Sequence, residues 1–404
     1  MKVLIIGNGL AGIMAGKTIR ELEASAEIII FSEEKYRYYP RPNLIDFLAG
    51  LLPLDKIFAF PPGWEERQKL IINLDKKVKR IAPDQKFIEL DSGEKIGFER
   101  LVLATGAEPS LPAIPGIKKK GIFAIRKLDD VLALIDYLKS GPEIAVLGGG
   151  LLGLEIARAL RFRGLEKITV VEYFDRLLPR QLDEAGAAIL QFQMEKFGLK
   201  FLLGKETMEI IAEDSVSGLR FKDGGVLSAG AVIIASGIKP RVELASACGL
   251  KCSRGVIVDD YLQTSHPAIY AAGDVAEHRG KIYGLIPAAF DQARLLAQNL
   301  CGQMKRYEGT IPSNTLKVAG IYLSSMGMIQ TENGNYEILV KSDPDKGIYK
   351  KLILKDGYCT GAIWLGTKKG VQEIGRLIQL HKNIGRIKKD ILNEDFDFSR
   401  LDSV

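Results

Sequence analysis

The first twelve residues place the strongest constraint on how this chain folds. Lys2–Ile6 is a short, almost wholly apolar run, which predicts a strand buried on both faces of a parallel sheet. It leads directly into Gly7-Asn8-Gly9-Leu10-Ala11-Gly12, and a helical pattern continues from Ile13 to Glu23. A strand, a G-x-G-x-x-G turn and a helix are the parts of a dinucleotide-binding βαβ unit. The three glycines permit, in order, a tight turn, the approach of a pyrophosphate and close helix packing.

An acidic pair follows at the distance that such a unit requires. A second predicted strand, Ile28–Phe31, ends at Ser32-Glu33-Glu34. Glu33 lies about 20 residues after Gly12, where a carboxylate accepts a hydrogen bond from a ribose hydroxyl. The N-terminus of the helix presents free N–H groups to the phosphates. Together these features predict a nucleotide site in the N-terminal part of the chain.

Composition limits the class of protein and its partners. With 404 residues the chain is long enough for about two to three domains. Its formal charge of +6 is a mild excess, which favours an acidic protein partner and is not a nucleic-acid-binding signature. The N-terminus lacks the basic region of a signal sequence, and no apolar run approaches the length of a membrane span. We therefore expect a soluble cytoplasmic protein with no nucleic-acid and no membrane partner.

The chain contains few residues suited to disulfides or metal binding. Its four cysteines are Cys248, Cys252, Cys301 and Cys359, which predicts a reducing compartment and no disulfide framework. The three histidines are scattered without the spacing of metal ligands, so no metal site is predicted.

Two further segments complete the first nucleotide-binding half. Tyr36–Pro42 contains two prolines and is expected to be irregular, either as a surface loop or as a loop that lines a cofactor. Leu101-Val102-Leu103-Ala104-Thr105-Gly106 predicts another buried strand that ends in small residues. The proline-rich stretch from Pro109 to Pro115 then predicts a linker between domains.

A second glycine fingerprint begins at residue 148. Ile144–Leu147 predicts a buried strand that leads into Gly148-Gly149-Gly150-Leu151-Leu152-Gly153, and a helical pattern runs from Leu154 to Arg163. The next predicted strand, Ile168–Val171, ends at Glu172. A carboxylate at that position hydrogen-bonds a free 2′-hydroxyl and repels a 2′-phosphate, which favours NADH over NADPH.

One residue opposes this preference, and one segment closes the second half. Arg176 lies near Glu172, and an arginine there accommodates a 2′-phosphate. Val232-Ile233-Ile234-Ala235-Ser236-Gly237 closes the second half as residues 101–106 close the first. The two nucleotide-binding halves therefore share one plan.

These motifs, with one more, resemble a known family. The two fingerprints, Ala104-Thr105-Gly106 and Ile269-Tyr270-Ala271-Ala272-Gly273-Asp274 resemble the pyridine nucleotide-disulfide oxidoreductase family, over about residues 1 to 310. The resemblance implies an α/β fold with two Rossmann-like dinucleotide-binding domains and a small α+β C-terminal domain. It assigns residues 1–111 and 237–309 to FAD, 112–236 to NAD(P)H and 310–404 to the C-terminal domain.

The resemblance also implies roles for individual residues. Asp274 would bind the ribityl chain, and Arg126 would contact the flavin. A helix starting at Pro287-Ala288-Ala289 would direct its positive end at the flavin. The residues implied for FAD are Gly7, Gly9, Leu10, Ala11, Gly12, Glu33, Glu34, Arg41, Pro42, Val78, Ala104, Thr105, Gly106, Arg126, Gly273, Asp274, Pro287 and Ala288. Those for NADH are Gly148, Gly150, Leu151, Leu152, Gly153, Glu155, Glu172, Ser236 and Gly237.

The subfamily is indicated by missing cysteines. Disulfide reductases carry a redox-active cysteine pair in the segment that corresponds to Arg41–Gly50, where this chain has none. Thiol chemistry by the family's usual route is therefore excluded, and Cys248 and Cys252 are expected to be structural. Tyr39–Pro42 with Leu44 resembles the reductases of rubredoxin and of oxygenase ferredoxins, and the flavin portion of nitrite reductase.

One charged pair of that subfamily does not transfer to this chain. Ferredoxin reductases usually pair a lysine with the glutamate that matches Glu155. Asp46 stands in place of the lysine, so two carboxylates would face each other here unless Asp46 points elsewhere.

The tail from Thr310 predicts a smaller domain. Tyr336–Val340, Ile348–Leu354 and Thr360–Leu365 are predicted strands, with Asp356-Gly357 as a hairpin turn. A lysine-rich amphipathic helix is predicted from Val371 to Leu392, either as a solvated face or as a docking site. Dimerisation in the manner of disulfide reductases is not expected, because their His-x-x-x-x-Glu motif is missing. Another kind of homodimer, or a place in a larger redox complex, stays open.

These features lead to one functional hypothesis and two alternatives. We expect an FAD-dependent NADH reductase that passes electrons to a small acidic iron or iron–sulfur protein, rubredoxin-like or ferredoxin-like. Hydride transfer to flavin needs no protein acid or base, so no catalytic residue is predicted beyond a nicotinamide-side role for Glu155. The alternatives are an NADH oxidase that reacts with oxygen and a non-catalytic, redox-sensing subunit that binds FAD and NADH.

Overall fold

The structure, a computed structural model, describes residues 1–318, 321–331, 334–385, 387–388 and 390–403. Within these ranges the side chains of residues 314, 316–318, 402 and 403 are not described. The chain divides into two compact units. The first unit comprises Met1–Asn43, Leu52–Glu108 and Ile238–Thr310, and the second comprises Leu44–Leu51, Pro109–Gly237 and Ile311–Val404.

The helices and strands of the described residues follow in chain order. The α-helices are α1 Leu10–Leu22, α2 Asn43–Leu48, α3 Trp64–Arg67, α4 Leu128–Tyr137, α5 Leu151–Phe162, α6 Glu184–Lys196, α7 Glu243–Ala247, α8 Ile286–Leu300 and α9 Val371–Gln379. Short 3-10 helices span Leu54–Lys56, Leu138–Ser140, Gly273–Val275 and Phe398–Ser403. The strands up to residue 109 are β1 Lys2–Ile6, β2 Glu27–Phe31, β3 Ile71–Asn73, β4 Val78–Ala82, β5 Phe87–Leu90, β6 Lys95–Gly97, β7 Arg100–Leu103 and β8 Ala107–Pro109. The later strands are β9 Ile122–Phe123, β10 Ile144–Leu147, β11 Ile168–Val171, β12 Lys200–Leu202, β13 Thr207–Ala212, β14 Val216–Phe221, β15 Val226–Ser228, β16 Ala231–Ile234, β17 Ile238–Pro240, β18 Val256–Val258, β19 Ile269–Ala271, β20 Ala276–His278, β21 Ser313–Val318, β22 Ile321–Gly327, β23 Glu337–Asp343, β24 Ile348–Lys355 and β25 Tyr358–Leu365.

A five-stranded parallel sheet forms the core of the first unit. Its strand order is β19-β7-β1-β2-β3, and every neighbouring pair is parallel. The central strand β1 is buried from its second residue onward, in agreement with its apolar sequence. Leu4 pairs with Ile29 on one side and with Leu101 on the other. The fingerprint turn therefore lies at the carboxyl edge of the central strand.

The second unit repeats this arrangement. Its parallel sheet has the order β12-β11-β10-β16-β9, so β10 occupies the place of β1 and β16 that of β7. Each unit also contains a three-stranded antiparallel sheet, β4-β5-β6 in the first and β13-β14-β15 in the second. The sequence did not predict these small sheets, because their strands are short and carry few consecutive apolar residues. The predicted α/β class with two Rossmann-like parts is confirmed.

The tail forms a five-stranded antiparallel sheet in the order β21-β22-β25-β24-β23. The three predicted strands are present as β23, β24 and β25. The Asp356-Gly357 turn has φ of +51° and +81°, the two positive values that a type I′ hairpin turn requires. The fully buried Trp364 packs in the core between this sheet and α9.

The predicted lysine-rich helix is wrong in its extent and its charge. Helix α9 ends at Gln379 rather than Leu392, and its nine residues contain no lysine. His381 has φ of +49°, the Lys382 N–H donates to Leu377 O, and the His381 N–H donates to Ile378 O. This is a Schellman termination with histidine at the left-handed position that glycine usually occupies, so no sequence signal announced it.

The chain beyond this helix continues in turns that pack on the tail core. Ile384, Ile391 and Leu392 are buried there. The Lys388 ammonium lies 2.7 Å from the Glu337 carboxylate, whereas Lys389 lies outside the described residues. In the parts of the chain that the structure describes, no helix has the length and apolarity needed to cross a bilayer.

Candidate functional site

The first fingerprint has the geometry of a phosphate-binding turn. Gly7 has φ of +117°, and a Cβ there would lie 2.1 Å from Ala104 O. A Cβ on Gly12 would lie 1.9 Å from Gly7 O, so helix and turn touch through backbone atoms. By contrast, no described atom lies within 4 Å of the Cβ position of Gly9, which caps α1. The free N–H groups at the start of α1 therefore face open space that a phosphate group fits.

The second fingerprint repeats this geometry closely. Gly148 has φ of +119° and would place a Cβ 2.5 Å from Ala235 O, and Gly153 would place one 1.9 Å from Gly148 O. Gly150 precedes α5 at Leu151-Leu152, and again no described atom occupies the space within 4 Å of its Cβ position. Among the described residues, no side chain caps the start of α1 or of α5. Both helix starts thus keep their N–H groups for an anion.

A buried polar atom beside the first turn indicates a missing donor. The Oδ1 atom of Asn8 is buried, and no described residue gives it a hydrogen bond. Buried polar atoms in proteins nearly always have a partner. A ligand with hydroxyl groups, such as the ribose or ribityl parts of FAD, supplies a donor of this kind, so the residues present fit the dinucleotide.

The acidic pair after β2 is held by two arginines. The Arg241 guanidinium donates to both carboxylate oxygens of Glu33, at 2.6 and 2.9 Å. Arg41 Nη2 lies 2.5 Å from Glu34 Oε1, and Tyr39 Oη donates to the other Glu34 oxygen. A carboxylate accepts about four hydrogen bonds, so pairing with an arginine does not by itself prevent it from binding a ribose. Arg241 was not predicted as a site residue, because it is far from Glu33 in the chain.

The Thr105-Gly106 turn holds Arg241 from the backbone side. Thr105 Oγ1 donates to Arg241 O at 3.1 Å, and the Arg241 N–H donates to Gly106 O at 3.0 Å. The first unit therefore brings together three features: the glycine fingerprint, the Thr105-Gly106 turn and Glu33. The fingerprint joins the others through the close approach of Gly7 to Ala104.

The Gly273-Asp274 motif reaches the same place. A Cβ on Gly273 would lie 2.9 Å from the Cβ of Ala11, in the first turn of α1. Helix α8, which was expected to start at Pro287, starts one residue earlier at Ile286, with Pro287 in its first turn and Ala288 buried. The Gly273-Asp274 motif and the start of α8, both far from α1 in sequence, therefore meet near the N-terminus of α1.

The remaining residues implied for FAD lie in separate places. Val78 begins β4 and is buried. Pro42 is exposed in the turn before α2, in the irregular segment that the prolines predict. Arg126 belongs to the second unit, where its N–H donates to Asp130 Oδ2 at 2.9 Å just before α4.

In the second unit, Glu172 is buried and its carboxylate braces the glycine turn. Its Oε2 accepts from Gly149 N at 2.5 Å, and its Oε1 accepts from Phe174 N at 2.9 Å. Arg176 forms an ion pair with exposed Asp175 at 3.2 Å. Its buried Nε has no hydrogen-bond partner among the described residues.

The Ser236-Gly237 turn lies at the end of β16 in this unit. Ser236 Oγ donates to Ser110 O at 2.5 Å, and Gly237 O accepts from Ser110 N at 2.9 Å. The turn is therefore fixed against the predicted linker, which begins at Pro109.

A third charged cluster joins α2 to α5 in the second unit. Arg158 Nη2 lies 3.5 Å from Asp46 Oδ1, and Arg158 is one turn beyond Glu155 on α5. Burial raises the pKa of Glu155 to about 7, opposed by the charge of Arg158 and assisted by that of Asp46. Asp46 is therefore near enough to Glu155 to affect its pKa. The arginine that accompanies them was missed.

The end of α2 is held by a second arginine of this unit. Arg163 donates to Leu48 O at 2.5 Å and to Phe47 O at 3.1 Å. These are carbonyl groups at the helix C-terminus, where a cation is favoured. The segment Leu44–Leu51 is accordingly part of the second unit.

Family models match most of the chain. Residues 1–293 match the model described as pyridine nucleotide-disulphide oxidoreductase. Residues 312–382 match the model described as rubredoxin NAD+ reductase C-terminal domain. This chain belongs to the pyridine nucleotide-disulphide oxidoreductase family. Membership confirms the predicted cofactors, FAD and NADH, and the predicted class, an FAD-dependent NAD(P)H oxidoreductase.

Named relatives narrow the subfamily. The chain is 35% identical over 396 residues to the assimilatory nitrate reductase electron transfer subunit of Bacillus subtilis, covering 98% of this chain and 51% of the relative. It is 32% identical over 372 residues to the NADH-rubredoxin oxidoreductase of Clostridium acetobutylicum, covering 91% and 93%. The ferredoxin reductase for the CYP199A2 system of Rhodopseudomonas palustris has a similar fold, with a TM-score of 0.90, 26% identity and 99% of each chain covered. The chain thus spans about half the length of the Bacillus relative and nearly all of the rubredoxin one.

Proposed function

We propose that this chain is an NADH-dependent flavin reductase that passes electrons to a small iron or iron–sulfur protein. The observation that carries the proposal is helix α2, which has three buried apolar side chains and no cysteine where disulfide reductases place their redox pair. Two electrons from NADH therefore cannot pass to a cysteine pair in this helix. FAD, when bound, accepts a hydride and releases electrons one at a time, which suits a one-electron acceptor.

The FAD assignment rests on the cluster at the start of α1. The N-terminal N–H groups of α1 beside Gly9 would bind the pyrophosphate, and Glu33 would accept from the ribose while Arg241 holds it in place. Asp274 would accept from the ribityl chain. The N-terminus of α8 at Pro287-Ala288 would stabilise negative charge on the flavin.

The NADH assignment rests on the start of α5. The open space beside Gly150 would receive the pyrophosphate of NADH. The remaining acceptor positions of Glu172 would bind a 2′-hydroxyl, and its charge would repel a 2′-phosphate. These two clusters support the domain limits that we propose from the sequence, 1–111 with 237–309 for FAD and 112–236 for NADH.

The acceptor is proposed from the tail and from charge. Residues 312–382 match a domain named after rubredoxin NAD+ reductases, and the chain has a net charge of +6. Rubredoxin-like and ferredoxin-like proteins of acidic composition therefore fit as partners. Whether the chain works alone or as one subunit of a larger reductase is part of the same question, because the Bacillus relative is about twice as long.

Two glycine substitutions test the cofactor assignments separately. Gly9 and Gly150 have extended backbone angles that any residue adopts, and both have room for a side chain. Gly9→Val is expected to abolish FAD binding, whereas Gly150→Val should leave FAD bound and weaken NADH binding at least about tenfold. Gly97→Ala, whose added Cβ would make only an ordinary 3.7 Å contact, is the matched control. FAD retained by Gly9→Val would contradict the assignment.

The acceptor is tested with the wild-type protein under two conditions. Anaerobically, NADH should reduce rubredoxin or a ferredoxin with multiple turnovers. In air, oxygen consumption should be much slower than reduction of that acceptor. Oxygen consumption that is faster than reduction of the protein acceptor would favour the NADH oxidase. A single turnover followed by a lasting, air-stable reduced state would favour the sensing subunit.

A further inference from the structure

Gly273 lies where two helix starts come close together. Its φ is +82°, in the left-handed region that favours glycine. A Cβ on Gly273 would lie 2.9 Å from the Cβ of Ala11 in α1 and 3.9 Å from that of Ala289 in α8. The next residue is Asp274, so the orientation of the Gly273 peptide decides where the Asp274 side chain begins.

The N–H of Gly273 is held by a buried amide side chain. Gln292, on the second turn of α8, is 1% exposed, and its Oε1 accepts from Gly273 N at 2.8 Å. A backbone N–H only donates, so the oxygen of the Gln292 amide must face Gly273. The amide nitrogen then points the other way and needs an acceptor of its own.

Tyr307 provides that acceptor. Gln292 Nε2 donates to Tyr307 Oη at 3.4 Å, and the same hydroxyl is bonded to Thr310 Oγ1 at 2.7 Å. Thr310 Oγ1 lies 3.3 Å from Asp291 Oδ2, and Asp291 precedes Gln292 on α8. Burial raises the pKa of Tyr307 to about 12, so the hydroxyl keeps its proton at working pH.

We propose that Gln292 is a positioning residue of the FAD site, which fixes the Gly273 peptide and thereby aims Asp274, with Tyr307 holding Gln292 in turn. The inference rests on the proposed placement of FAD at Gly273-Asp274. Gln292 itself does not have to touch the cofactor, because its oxygen is already engaged by the backbone. Its effect reaches the ligand through Asp274.

The test compares two substitutions at this position. Gln292→Met keeps a similar volume and removes the acceptor, which leaves the Gly273 N–H unpaired. It should raise the dissociation constant for FAD at least about tenfold. Gln292→Glu keeps an acceptor oxygen and should stay within about threefold of wild type. Binding is measured by titrating the apoprotein with FAD, and visible circular dichroism of the bound flavin reports its environment.

A matched control separates positioning from simple loss of stability. Asn299 is a second buried amide on α8, which bonds Tyr261 O and Lys305 O. Asn299→Met should lower the melting temperature about as much as Gln292→Met and leave the dissociation constant for FAD unchanged. If Gln292→Met also lowers only the melting temperature, the inference is overturned.

Coupling to Asp274 distinguishes failure of the inference from failure of the FAD placement. In an Asp274→Ala background, Gln292→Met should lose most of its effect on FAD binding, because the residue that it positions is missing. Full additivity overturns the inference alone. If Asp274→Ala leaves the FAD affinity unchanged, both the placement of FAD and the inference are overturned. If Gln292→Met does not fold, Tyr307→Phe is tested instead. It should weaken FAD binding about threefold, and an unchanged FAD affinity would overturn the inference.

Discussion

The guanidinium of Arg158 lies 3.5 Å from the Asp46 carboxylate and one helical turn from Glu155. Ferredoxin reductases resemble this chain but usually have a lysine at the position of Asp46. Here the positive charge near Glu155 comes from its own helix instead. Arg158 therefore interacts with two carboxylates, and Glu155 is the more buried of the two.

The first prediction is a pH-dependent stability difference at Glu155. Its pKa is raised, mainly by burial, from 4.5 to about 7. The favourable contribution of the neutral form is therefore complete below pH 4.5 and is lost as the pH rises through 7. Glu155→Gln, which stays neutral, should gain stability relative to wild type between these values, by at most about 3 kcal/mol.

Melting temperatures of both proteins at pH 5 and pH 8 check this prediction. The difference between variant and wild type should be more favourable to the variant at pH 8. A difference that is the same at both pH values would show that Glu155 titrates normally.

The second prediction concerns the two neighbours of Glu155. Asp46 raises the pKa of Glu155 and Arg158 lowers it. Asp46→Asn should therefore lower that pKa, and Arg158→Gln should raise it further. Carbon NMR of labelled glutamate side chains measures both shifts. Shifts in the same direction would refute the assignment of opposite charge effects.

The third prediction is nucleotide preference. Wild type should have a kcat/KM for NADH at least about tenfold above that for NADPH, because in the proposed site the buried Glu172 carboxylate would meet the 2′ position. Glu172→Gln should narrow the ratio by raising activity with NADPH. Glu172→Ala should also lower activity with NADH, because Gly149 and Phe174 lose their acceptor.

Arg176 and Asp175 provide the comparison variants. Arg176→Gln should widen the preference for NADH if that arginine accommodates phosphate, and exposed Asp175→Asn should change little. A wild type that prefers NADPH would contradict the role assigned to Glu172.

The sequence revealed the nucleotide-binding turns because their constraints are local. A Cβ on Gly12 would lie 1.9 Å from Gly7 O in the same turn, and Gly7 itself has φ of +117°, a positive value that favours glycine. By contrast, the Glu33–Arg241 ion pair joins residues 208 positions apart, and no local pattern announces it. The end of α9 was missed for another reason, since His381 takes a conformation that sequence rules reserve for glycine.

The fourth prediction is insensitivity to thiol modification. Burial raises the pKa of Cys248, Cys252 and Cys301, and that of buried Cys359 to about 12. Alkylation should leave NADH-driven reduction of an artificial one-electron acceptor largely intact. Stoichiometric inactivation by modification of one cysteine, without unfolding, would restore a thiol mechanism.

The fifth prediction concerns the protein acceptor. For an acidic partner, kcat/KM should fall steeply with ionic strength, because charges are screened beyond about 8 Å at physiological salt. For NADH with an uncharged dye the dependence should be shallow. Lys388→Gln should leave the steep slope nearly unchanged, because that ammonium already pairs with Glu337 at 2.7 Å. A shallower dependence of kcat/KM on ionic strength in Lys388→Gln would instead indicate that the partner docks at Lys388 in the tail.

The order of strands in the two parallel sheets also determines when each sheet is completed during synthesis. The sheet of the second unit uses strands between residues 122 and 234, whereas the first sheet needs β19 at Ile269–Ala271. A ribosome making this chain therefore completes all five strands of the second unit's sheet before it makes the last strand of the first unit's sheet. Strand β1 is made early, yet the edge of β7 that pairs with β19 stays unpaired until residues 269–271 have been made.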